Sequence, residues 1–207
     1  MARLLAVALA CVALASPGFA GEVEDAFARG VAAYNEGDYA TAFAEFRSAA
    51  ERGMGDAQFN LGLMYSNGQG VVQDYEDTLY WWRQAAEQNV ADAQNNLGMM
   101  YENGLGVPMD QAEAVRWYRK AAEQGKPYAQ HNLGAMYANG RGIERDLVLA
   151  HMWFNLATAG HKAGPARTQS AEAARSCRRS EKESRRDRCR LDGQQFMPCP
   201  RRIAEDG

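Results

Sequence analysis

The residues able to do chemistry are sparse in this 207-residue chain, and their spacings serve no catalytic arrangement. Its histidines are His131, His151 and His161, none in the Glu-flanked i, i+4 pair by which a helix holds a catalytic zinc. Beyond Cys11 the cysteines are Cys177, Cys189 and Cys199, too far apart for a zinc site and without a fourth ligand. Three is an odd number, so one thiol stays free or pairs between chains if the other two bond; we read them as incidental. A penicillin-binding or β-lactamase site needs a Ser with a Lys three residues on, and a Lys-Thr-Gly element. The lysines are Lys120, Lys126, Lys162 and Lys182, none three after a Ser and none before Thr-Gly. Gly68-Gln69-Gly70 lacks the strand that a phosphate cradle requires. The expectation is a protein that is not an enzyme, with no metal and no cofactor; a cell-wall or β-lactam-related hydrolase is the alternative these residues fail to support.

What the chain does contain is one unit written three times. Asp56-Ala57-Gln58-Phe59-Asn60-Leu61-Gly62-Leu63-Met64-Tyr65 returns around Leu97-Gly98 and again around Leu133-Gly134. Tyr65, Tyr101 and Tyr137 are 36 apart, as are Trp81, Trp117 and Trp153, and Asp74, Asp110 and Asp146. A fixed period of this size marks a stacked repeat architecture. Leu61, Met64 and Tyr65 form one stripe of a short helix, and Trp82, Ala85 and Ala86 form another. Small Gly62 and Ala57 would let the second helix approach closely. Gly68 and Gly70 suit a loop with positive φ, and Asp74 can cap the helix that follows it. Neither helix buries its stripe alone, so each unit needs its neighbours.

The unit resembles the Sel1-like repeat, a relative of the tetratricopeptide repeat. The residues that carry the likeness are Ala57, Leu61, Gly62, Tyr65, the loop 67–71, Asp74, Trp82 and Ala85-Ala86. Their counterparts include Ala93, Leu97, Gly98, Tyr101 and Tyr118, then Ala129, Leu133, Gly134, Tyr137 and Phe154. The resemblance implies an all-α fold: an α-solenoid, a right-handed superhelix of about four helix pairs. It also implies an adaptor that binds other proteins. Residues 22–52 read as a degenerate, tetratricopeptide-type first unit. Tyr39, Phe46 and Ala49 stand 36 before Tyr75, Trp82 and Ala85, but Gly30 only 32 before Gly62, so its inner loop is four residues shorter.

The ends differ. Met1-Ala2-Arg3, an apolar run from Leu4 to Ala15 and the break at Ser16-Pro17-Gly18-Phe19-Ala20 read as a secretory signal peptide cut near Ala20. The run is too short to span a bilayer, and the flank of Cys11 argues against lipidation. The mature chain is therefore expected in the periplasm or outside the cell. The repeats would occupy 21–162, in units of about 22–52, 54–90, 91–126 and 127–162. Residues 163–207 would form a polar capping helix and an Arg-rich, disordered tail. Residues 21–174 carry a net charge of about −8 and residues 175–207 about +4. The tail is expected to contact anionic membrane weakly at most, a tether being the other alternative function. No nucleic-acid partner is expected: the chain is exported, and no aromatics interleave the Arg run.

Internal contrast points to a binding surface. Positions identical in every unit should hold the stack, which assigns Leu61, Gly62, Tyr65, Trp82, Leu97, Gly98, Tyr101, Tyr118, Leu133, Gly134, Tyr137 and Phe154 to the core. Positions that vary on one face of the first helices are free for a partner. They read Phe59, Leu63 and Ser66; Asn95, Met99 and Glu102; His131, Ala135 and Ala138; Asp56, Asp92 and Tyr128 extend them. Phe59, Leu63 and Met99 are expected to be exposed there. By resemblance this face is the concave groove, its partner a helix or peptide segment of another protein. The resemblance suggests the periplasmic part of a sensor kinase, an envelope enzyme or a host protein.

Overall fold

A computed structural model describes residues 17–162, with side chains from 21 to 159. The signal-peptide cut near Ala20 falls at the edge of that range. The apolar run before it, the capping helix and the Arg-rich tail lie outside the described residues.

Among the described residues there are eight helices and no strand. Helix α1 spans Pro17–Glu36, α2 Tyr39–Glu51, α3 Gly55–Asn67 and α4 Tyr75–Glu87; α5 spans Ala91–Asn103, α6 Gln111–Glu123, α7 Pro127–Asn139 and α8 Leu147–Lys162. The substantial contacts join helices consecutive in the chain, which is the organisation of a solenoid.

The boundaries follow from local chemistry. Asp74 Oδ1 accepts from the amides of Glu76 and Asp77 to start α4, Asp110 Oδ1 from Ala112 and Glu113 to start α6. Asp146 does the same for α8 and Asp38 for α2. The bond from Thr41 holds the Asp38 carboxyl below its ordinary range. Helices α3, α5 and α7 stop at Gly68, Gly104 and Gly140, all left-handed.

Within each repeat a glycine lies under an aromatic ring of the paired helix. A Cβ at Gly62 would stand 2.5 Å from Trp82 Cδ1, and one at Gly134 2.9 Å from Phe154 Cδ1. Gly30 lies under Phe46 in the same way, across the shorter loop of the first unit. Between repeats, the second loop glycine seats on the preceding repeat: Gly70 on the carbonyl of Tyr39, Gly106 on Tyr75, Gly142 on Gln111. All three have φ between 66 and 71°.

The core runs through the stack as overlapping clusters of Ala, Leu, Met and aromatic side chains. A buried polar ladder accompanies it. Gln58, Gln94 and Gln130 each donate to a carbonyl eight residues earlier: Ala50, Ala86 and Ala122. Gln58 Oε1 accepts from Gln88 and Gln94 Oε1 from Gln124, both at 2.8 Å. The third donor slot is Gly160, and Gln130 Oε1 has no partner among the described residues. Sequence reading passed over these glutamines, although their 36-residue recurrence was the signal for them.

Candidate functional site

The structure brings part of the expected first-helix slots together. Asn132 Nδ2 on α7 donates to Asn95 Oδ1 on α5, 3.1 Å away, and Lys126 Nζ at the start of α7 lies 2.7 Å from Asp92 Oδ2. Two adjoining hollows result. One, of about 390 Å³, is lined by Asn95, Met99, Glu102, Tyr118, Tyr128 and Asn132, with Asn103 at its edge. The other, of about 550 Å³, is lined by Tyr128, His131, Phe154, Ala157 and Thr158. Tyr128 belongs to both and is 72 % exposed.

The two differ in chemistry. The floor of the first is polar: Glu102 accepts from Tyr118 Oη at 2.6 Å and pairs with Arg141 Nη1 at 2.7 Å. Burial, with the neighbouring Glu102 carboxylate, pushes the Tyr118 hydroxyl far above its usual range, so it remains a proton donor to Glu102. The second hollow presents chiefly carbon, with the His131 ring 5.1 Å from that of Phe154.

Other expected groove residues line neither hollow. Phe59 and Leu63 are half-buried and pack on the cluster around Trp82; the Phe59 ring is stacked with Trp82 at 6.3 Å. Their apolar side chains therefore serve their own repeat, contrary to the expected exposure, whereas Met99 is exposed as expected. Ser66 Oγ bonds back to the Leu63 carbonyl, and Ala138 packs against the core of the third repeat. Ala135 is half-buried and lines neither hollow, and Asp56 is exposed at the start of α3.

Among the core assignments, Leu61, Gly62, Trp82, Leu97, Gly98, Tyr118, Leu133, Gly134 and Tyr137 are buried. Tyr65, Tyr101 and Phe154 are only half-buried. The Tyr101 hydroxyl reaches out to a polar group of the preceding repeat, and buried Tyr137 makes the same contact. Tyr101 Oη accepts from Arg83 and Tyr137 Oη from Arg119, both at 2.6 Å. Phe154 opens onto the apolar hollow because no further helix covers it among the described residues. Asn132 lies outside the expected set: its slot reads Asn60, Asn96 and Asn132, and identity in every unit points to the core rather than to a surface.

Among the described residues no group of His, Cys, Asp or Glu could hold a metal ion, and no helix is long and apolar enough to cross a membrane. Stacked helix pairs with a two-part surface hollow define a helical-repeat solenoid. The chain belongs to the Sel1 repeat family, whose model matches residues 55–90, 91–126 and 127–160. Among solved structures it is similar to a protective antigen present in uropathogenic Escherichia coli strains that displays an SLR fold. That match has 40% identity and a TM-score of 0.65, covering 70% of this chain and 32% of the other. A Sel1 repeat protein from Oxalobacter formigenes is similar at 34% identity and a TM-score of 0.64, covering 73% of this chain and 63% of that one. The chain thus spans less than two-thirds of either. No curated protein matches it. Sel1-repeat proteins generally mediate protein–protein interaction, and the family is typically one of non-enzymatic adaptors.

Proposed function

We propose that the chain is an exported, periplasmic or secreted adaptor that holds a segment of another protein against its first-helix face. The observation that carries this is Tyr128, 72 % exposed between two adjoining hollows on that face. An exposed tyrosine beside concave surface is of the residue type in which interfaces concentrate their binding energy. The leader-like residues 1–20 support export. A protective antigen among the similar structures agrees with exposure to the surroundings of a cell. A sensor kinase, an envelope enzyme or a host protein would each offer such a segment.

The test is a pull-down from envelope extract with the chain and with Met99→Asp/Tyr128→Ala, read by mass spectrometry. A protein held by the former and lost by the latter is the expected result. Equal capture by both would overturn the assignment of this face.

A further inference from the structure

The face is chemically directional. Its three helices α3, α5 and α7 carry three carboxylates, Asp56, Asp92 and Glu102, and not one Lys or Arg. Two of these are matched from within the fold, Asp92 by Lys126 and Glu102 by Arg141. The position equivalent to Lys126 one repeat earlier is Val90, which brings no charge to Asp56. Asp56 is exposed, and its carboxylate has no cation partner among the described residues. The Lys126–Asp92 pair therefore shows a contact that the fold makes once and leaves open one repeat away. At the other end of the face lies the apolar hollow of Tyr128, His131 and Phe154.

We infer that the partner is a basic peptide segment with one large apolar anchor. A Lys or Arg of the segment pairs with Asp56, and its anchor side chain enters the hollow beside Tyr128 and Phe154. The backbone between them crosses the Asn95–Asn132 amides, whose remaining donors and acceptors suit peptide groups. The net charge of about −8 over residues 21–174 draws such a segment in and rejects acidic ones. This rests on the adaptor reading above and adds the partner's chemistry to it.

The test is selection of short random peptides displayed on phage by the full chain, by Asp56→Asn and by Tyr128→Ala, with far-UV melting curves confirming that both variants fold. The expected result is enrichment of Lys or Arg together with one aromatic or large aliphatic residue. The selected peptides should weaken about 2–5-fold on Asp56→Asn at low salt, an effect that shrinks as salt rises. Tyr128→Ala should cost about tenfold or more. Enrichment of acidic or uncharged peptides that still depend on Tyr128 would overturn the basic partner and leave the adaptor reading standing. Peptides indifferent to both substitutions, or no enrichment, would overturn both.

Discussion

The ring of Tyr118 rests on Gly98: a Cβ at position 98 would stand 2.6 Å from Tyr118 Cδ1 and Cε1. The glycine is there because the helices of a repeat close to a distance that admits a ring and nothing else.

Gly98→Ala separates this from helix propensity. In an open helix the change would stabilise by about 1 kcal/mol. Here the added methyl must displace a buried ring, and a loss of about 1–3 kcal/mol is expected. Urea unfolding reads the sign directly, and a gain in stability would refute the close packing.

The glutamine ladder yields an ordering. Gln94→Leu removes two hydrogen bonds, to the Ala86 carbonyl and from the Gln124 amide, whereas Gln130→Leu removes one, to the Ala122 carbonyl, together with an Oε1 that has no partner among the described residues. Both carbonyls keep a backbone amide, Asn89 on Ala86 and Gly125 on Ala122, and the exposed Gln124 can turn to water, so each lost bond costs about 0.5–1.5 kcal/mol. Gln94→Leu should therefore be the more destabilising of the two in matched chemical denaturation.

Phe59 and Met99 belong to neighbouring slots of the expected face on successive first helices but should behave oppositely. Met99→Asp is expected to change stability by less than about 0.5 kcal/mol while removing partner binding. Phe59→Asp breaks a stack on Trp82 and should cost more than about 1 kcal/mol. Melting temperatures of the two variants, set beside their binding, decide the matter.

Gly106→Ala tests the joints. Its φ is 66°, and a Cβ would stand 2.5 Å from the Tyr75 carbonyl oxygen. The change should cost well over about 1 kcal/mol. It should also weaken coupling between repeats, so that unfolding broadens or splits where the wild type unfolds in one step. A single transition of unchanged width would mean that the loops contribute little to the joint.

Helix pairing, caps and turn glycines were legible because a repeat states each requirement several times, and Asp74, Asp110 and Asp146 admit one structural explanation between them. The groove was legible only as a face. Variation at a slot says that the stack tolerates change there, not where the side chain goes. Phe59 varies and still folds onto Trp82, while Asn132 is constant and still lines a hollow. The apolar hollow beside Phe154 is open because no helix among the described residues covers it, which periodicity alone does not report.

Gly70, Gly106 and Gly142 touch main chain of the preceding unit, so register between neighbours does not depend on which side chains flank the contact. Gln69, Leu105 and Arg141, each preceding one of these glycines, have already diverged completely. Evolution can thus lengthen or shorten such an array by whole units of 36 residues with each new junction working at once. A gene duplication extends the binding surface first, and point mutation can tailor the copied slots afterwards.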